Sequence, residues 1–277
     1  MMERERYENL LLERFGSVLR VTLNRPERRN ALSATLMEEL LDLIGWVETD
    51  AETRALILRG AGKGFCSGYD IADAAAAEAP PSPIRKAQQL RWDSRIFDRL
   101  WRLPFLTVAQ VHGACLAAGT DLALHCDLVI CAEDARIGYP AVRSMGAPST
   151  HMWLYHLGPQ WTKRLLMSGD SLTGTKAVEV GFALEAVAAA ELDEHVLAQA
   201  TRIASIPRDL LSVNKQVINR GLDLMGRTLL QETALMQDLF ARQAAGTEEF
   251  AETAMREGLK RAFLQRDAPF ADGDPIE

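Results

Sequence analysis

The run GKGFCSGYDI, residues 62–71, sets a thiol, a hydroxyl and a carboxylate among three glycines directly after the apolar run RALILRG. Two kinds of chemistry fit such a stretch: a nucleophile on Cys66 or Ser67, or backbone N–H groups left accessible by small neighbours. Ser67 lacks the Gly-x-Ser-x-Gly setting of a hydrolase nucleophile. The preceding GAGKGF is no phosphate loop, because Gly64 stands where Ser or Thr should follow the lysine, and Phe65 occupies the third glycine of a dinucleotide fingerprint. A second small-residue cluster, VHGACLAAGTDLALHCD at 111–127, runs through Gly113, Ala117, Ala118 and Gly119, then turns helical from about Thr120. Free N–H groups at a helix start carry the positive end of its dipole, so this turn can hold developing negative charge, or can simply pack closely on a neighbouring strand.

Histidines 112, 125, 151, 156 and 195 have no metal-ligand spacing and read as capping or surface residues, and Cys66, Cys115, Cys126 and Cys131 read as buried thiols. No metal is expected.

The elements that must position these groups follow from periodicity. SVLRVTLNRP alternates Leu19, Val21 and Leu23 before Pro26, which predicts a strand with one covered face. From the N-cap Ser33, Leu36, Leu40, Leu43, Ile44 and Val47 fall at helical spacing. RALILRG, FLTVAQVHG and DLVICAED predict further strands separated by helices, so the fold class is α/β. ADAAAAEAPPSP, residues 72–83, predicts a mobile loop. Strand signals end after SIPRDLLSVNKQ, which puts a boundary near 206: residues 1–205 form a core and 206–277 a helical C-terminal region.

A 277-residue chain that is 48% hydrophobic and 25% charged can bury a large core. Its net charge of -7, with basic residues scattered among acids, argues against a nucleic-acid partner. The N-terminus alternates acids and arginines, and no stretch approaches the ~20 apolar residues of a membrane helix, so the expected setting is cytoplasmic, without a membrane partner.

Taken together, NRPERRNALS, GKGFCSGYDI and HGACLAAGTDLALHCDLVICAEDARIGYP, followed by SGDSLTGTKAVEVGFALEAV and EGLKRAFLQR, resemble the enoyl-CoA hydratase/isomerase, or crotonase, superfamily. The resemblance covers nearly the whole chain. It implies a spiral of β-β-α units, a C-terminal helical region that packs between subunits, a homotrimer or hexamer, and an acyl-CoA thioester substrate, coenzyme A being part of the substrate and no separate cofactor needed. It implies an oxyanion hole from the backbone N–H groups of Ser67 and Ala118, with Cys66, Gly68, Tyr69, Asp70, Ala117 and Gly119 beside them. Arg28, Arg29 and Ala31 match the segment that meets the adenine end of coenzyme A, and Phe263 and Arg266 match tail positions that reach a neighbouring site. Asp70 reads as a turn-stabilising acceptor.

Departures bear on the reaction. Hydratases of the family use two glutamates; here the first position is Asp121 and the second is Ala141, and GAPSTHMWLYHLG replaces a glycine-rich stretch. Asp121 is the candidate catalytic residue, although a carboxylate in the first turn of a helix should also be held ionised by the dipole, weakening it as a base. Tyr139, Arg143 and His151 are candidate helpers, Arg143 with a surface ion pair as its alternative. Three functions compete: enolate chemistry of lyase or isomerase type, hydrolysis of a thioester or carbon–carbon bond, and acyl-CoA binding without turnover.

Overall fold

The computed structural model describes residues 6–71, 82–270 and 275–277. β1 (Leu10–Phe15) and β2 (Val18–Leu23) form a hairpin, and α1 (Ala34–Thr49) leads to β3 (Ala55–Gly60) and the short β4 (Gly64–Cys66). After the undescribed segment come α2 (Pro83–Trp101), β5 (Leu106–Val111), β6 (Ala114–Leu116) and α3 (Ala118–Leu124). The pattern repeats with β7 (Leu128–Ala132), β8 (Arg136–Gly138) and α4 (Trp153–Ser168), then β9 (Ser171–Thr173), α5 (Gly174–Glu179), β10 (Glu185–Val187) and α6 (Leu192–Ala204). The remainder is helical: α7 (Arg208–Leu224), α8 (Arg227–Ala241), α9 (Ala245–Glu257) and α10 (Leu259–Asp267). Ile276 returns to bond across Ser171 and Thr173 of β9.

The strands form a six-stranded sheet, ordered β1-β2-β3-β5-β7-β10, and a four-stranded sheet of short strands, ordered β4-β6-β8-β9. Within the small sheet β4, β6 and β8 are parallel, with Cys115 opposite both Cys66 and Ile137. Three successive strand-to-helix turns, at 67–70, 117–121 and 139–143, are therefore set side by side at the carboxyl ends of adjacent parallel strands. That is the spiral of β-β-α units expected, and it brings the chemical residues into one place.

Ser33 caps α1, its hydroxyl accepting from the Leu36 amide, and the helix buries Leu36, Leu40, Leu43, Ile44 and Val47. That face meets Leu58 of β3, Leu100 of α2 and Leu122 of α3. β2 corrects the one-sided expectation, since all six residues are buried. Its other face lies under α6, whose Asp193 draws Arg20 to 3.8 Å, Arg59 to 2.6 Å and also Gln110. The predicted loop at 72–83 falls outside the described residues except for its end, where Ser82 caps α2 and Pro83 opens it. No described helix is long and apolar enough to cross a membrane.

Replacing Ser33 with Ala removes one cap bond from a helix that carries much of the core. Unfolding by denaturant should show a loss of about 1 kcal/mol, and a loss below a few tenths would show that the cap is not used.

Candidate active site

The first turn is held by NRPERRNA. Asn30 is fully buried, donating to the carbonyls of Ala61 and Gly64 at 2.9 Å each and accepting from the Arg25 amide. Arg25 donates to the Ala31 carbonyl at 2.6 Å and to Asp70 at 2.9 Å, so the Asp70 carboxylate is occupied in fixing the turn. Arg28 and Arg29 are exposed, and Ala31 is buried.

These bonds decide which amides are free. The Ser67 N–H donates to the Arg29 carbonyl at 3.1 Å, so the expected first oxyanion donor is already engaged. Gly68 accepts from Leu32 at 2.8 Å and Asp70 donates back to Leu32 at 3.1 Å. Between them the Tyr69 N–H has no partner among the described residues. In the second turn, Ala117 takes φ 50°, its N–H bonds the Gly138 carbonyl at 2.9 Å, and its own carbonyl accepts from Thr120. The helix starts at Ala118, two residues earlier than expected, which leaves that N–H at the helix head without an intrahelical acceptor. The two turns touch: a Cβ on Gly68 would lie 2.8 Å from the Ala117 Cβ and 3.2 Å from the Ala118 nitrogen. One on Gly119 would lie 2.5 Å from the Cys66 carbonyl oxygen. Cys66 itself is fully buried, and burial pushes its thiol up to about 12, so it stays protonated.

Asp121 projects from α3 into the interior and is fully buried. One carboxylate oxygen accepts from the Thr150 hydroxyl, and the Tyr139 hydroxyl stands beside the carboxyl. Burial raises the carboxyl to about 7, against the pull of the Thr150 and Tyr139 hydroxyls, with the Asp238 charge adding to the rise. This overturns the expectation that the helix end would keep it low. His125 closes the same helix, its Nδ1 2.6 Å from the Asp121 carbonyl, and burial drives it down to about 4.

The third turn carries Tyr139, 5% exposed, and half-buried Ala141, which offers no carboxyl. Arg143 is a correction: it donates to the Ser168 carbonyl at 2.9 Å, pairs with Asp170 and Asp267, and stacks on Phe270 at 3.9 Å. It ties the tail to the core and is not available to a substrate. His151 is half-buried with φ 49°, its imidazole pushed down by burial. Trp153 is core, against Phe182 at 5.0 Å. Phe263 packs on Phe250, and Arg266 pairs with Asp267 over the Phe263 ring.

Three buried polar residues escaped sequence reading. Thr150 is signalled by nothing local. Asp93 and Asp238 are buried at 4% and 1% exposure on helix stripes otherwise apolar, Leu90-Asp93-Phe97 and Ala234-Leu235-Asp238, and that interruption is a readable sign. Asp238 accepts from the Ala147 amide and from Arg242, bracing the loop before Thr150. Among the described residues no group of three His, Cys, Asp or Glu could hold a metal ion.

The comparisons agree with this architecture. Residues 13–261 match the family described as Enoyl-CoA hydratase/isomerase. A short-chain-enoyl-CoA hydratase from Clostridium acetobutylicum is 33% identical over 77% of this chain and 82% of its own. Among solved structures, an enoyl-CoA hydratase from Mycobacterium smegmatis aligns with TM-score 0.89 at 35% identity, covering 96% of both chains. An enoyl-CoA hydratase/isomerase from Xanthobacter autotrophicus Py2 aligns with TM-score 0.91 at 34% identity, covering 95% of this chain and 99% of its own. The chain belongs to the enoyl-CoA hydratase/isomerase family of acyl-CoA-processing enzymes.

The raised Asp121 carboxyl has a consequence for stability. Between its ordinary value near 4 and about 7 the unfolded chain releases this proton while the folded chain keeps it, so stability falls as pH rises through that window. Asp121→Asn removes the penalty: its stability relative to wild type should improve from pH 4 to pH 7, by on the order of a few kcal/mol, then level off. A pH-independent difference would show that the carboxyl is not raised.

Proposed function

We propose that the protein binds an acyl-CoA thioester with its carbonyl oxygen between the Tyr69 and Ala118 amides, stabilises the enolate formed there, and moves a proton with Asp121. The observation that carries this reading is a fully buried carboxyl on the helix that begins at the free Ala118 N–H, its burial raising it to about 7. Preorganised amides supply a few kcal/mol each to an oxyanion and need no side chain, which fits the protonated Cys66 and the small residues around both turns. A carboxyl titrating near neutrality can take or give a proton at working pH, which a strongly acidic one does poorly. Hydration or isomerisation of an enoyl thioester is the outcome we favour, in a cytoplasmic setting suited to four buried free thiols.

Ala141 limits the chemistry. With one family carboxyl missing, crotonyl-CoA hydration should be slow beside that of two-glutamate relatives, by roughly 10²- to 10⁴-fold. Asp121→Asn should remove most of whatever turnover the wild type shows across a panel of acyl-CoA thioesters, with binding retained. Vigorous hydration that survives this change would refute the role given to Asp121. Free coenzyme A as the product would favour hydrolysis, and binding without turnover a carrier.

We also propose a homotrimer or hexamer. α7 exposes Leu210, Val213 and Val217 at 56%, 60% and 69%, and α8 exposes Leu229 and Phe240 at 74% and 62%, faces the described residues do not cover. In such an assembly Phe263 and Arg266 would approach a neighbouring coenzyme A. Light scattering should give three or six times the chain mass; a monomer at micromolar concentration would rule this out.

A further inference from the structure

Residues 144–152 join the third turn to α4, and they cross the site on the way. The Thr150 hydroxyl donates to Asp121, and the neighbouring Ser149 hydroxyl stands beside that of Tyr69, the residue of the first free amide. Two consecutive side chains, on residues 4% and 1% exposed, thus meet both backbone turns. Yet the segment has no ladder of its own: among the described residues the backbone of 146–150 makes no hydrogen bond to other backbone. Its place must be fixed from outside, by side chains that satisfy its polar groups.

That anchor comes from the C-terminal helical region. Asp238 of α8, 1% exposed, accepts from the Ala147 amide at 2.9 Å with one oxygen and from Arg242 at 2.8 Å with the other. Gly146 makes room for it: at φ 115° the chain takes a form that other residues resist, and a Cβ there would run into the carboxyl. From Ala147 the hold passes along a stiff step, since Pro148 fixes its own φ and restricts the residue before it. We propose that Asp238 is a positioning residue for the reaction: by pinning Ala147 it sets where the Thr150 hydroxyl meets Asp121, and so aims the proton-handling carboxyl at the acyl group held by the oxyanion amides.

This inference rests on the acyl-CoA reading above. Asp121 can pass a proton only while its carboxyl keeps one direction, and α3 alone does not set that direction, because the side chain turns about two bonds. The Thr150 hydroxyl, with the Tyr139 hydroxyl beside the carboxyl, supplies the constraint. An Asp238 that only stapled α8 to the core would cost stability when lost and leave the rate of the folded enzyme alone. A positioning Asp238 costs kcat with substrate binding kept, and costs it through Thr150.

The test uses the full-length protein and the enoyl-CoA that the wild type turns over fastest, with butyryl-CoA as the binding probe. Asp238→Ala should lower kcat about 10- to 100-fold, the cost of a displacement of up to about 1 Å, with butyryl-CoA affinity within about threefold. Asp238→Asn keeps an oxygen for the Ala147 amide and should recover most of that loss, Arg242 being 31% exposed and able to turn to solvent. Gly146→Ala sets a Cβ against the carboxyl without changing any charge, and should repeat the Asp238→Ala result. Thr150→Val should cost a similar factor, and Asp238→Ala added to it should slow the enzyme by no more than about twofold further, where independent roles would multiply the losses. Amide exchange across residues 145–151, followed by mass spectrometry, should quicken in Asp238→Ala and not in Asp238→Asn. Should Asp238→Ala fail to fold, Gly146→Ala takes its place in the cycle with Thr150→Val. Wild-type kcat in these variants, or losses that multiply, overturns the proposal while the acyl-CoA reading stands. Binding without turnover removes the proton transfer and this proposal with it. If the wild type neither binds nor converts any thioester, the reading itself falls and takes the proposal down too.

Discussion

The close approach of two backbone turns is the constraint on which the rest of the site depends. Short parallel strands β4, β6 and β8 are hydrogen-bonded neighbours, so the chain leaves each at the same edge and the turns cannot separate without breaking the small sheet. Contact that tight is possible only where Cβ atoms are absent. Gly119 lies against the Cys66 carbonyl, and Gly68, at φ 101°, lies against Ala117 and Ala118. A larger residue at either position would push the turns apart, and with them the Tyr69 and Ala118 amides.

Around this frame the sign of one electrostatic balance matters. A carboxylate in the first turn of a helix gains about 0.3–1 kcal/mol from the dipole. α3 has seven residues, and every one of them is buried. Complete removal from water can raise a carboxyl by about 3–5 pKa units, so desolvation prevails over the dipole and over the two hydroxyls that favour the ionised form. The same balance explains Asp93, where one amide and two cations do not offset burial. Asp70 is held against Arg25 and serves the turn.

Much of the fold was legible because it rests on local periodicity: β2, β3, β5 and β7 of the large sheet, α1 with its Ser33 cap, and the helical end. The turns were legible as clusters of small residues, and their order along the chain carried the family. What was hidden depends on partners distant in sequence. Ser67 is engaged by Arg29, 38 positions away, so counting along the small-residue run could not tell its amide from that of Tyr69. Thr150 meets Asp121 across 29 positions, and Arg143 binds Asp267 across 124. The second covered face of β2 needed α6, which lies far downstream.

Asp93 and Asp238 mark an intermediate case, since their helices announce them by interrupting an apolar stripe, yet on a single chain such an interruption also fits a solvated face. Burial separates the two readings: at 4% and 1% exposure neither residue faces solvent. A charge kept inside at that cost is bound to something, and the two differ in what holds them. Asp238 accepts from a backbone amide and a guanidinium and so braces the loop before Thr150, whereas Asp93 accepts from the Gln89 amide with the Lys86 and Arg242 charges nearby.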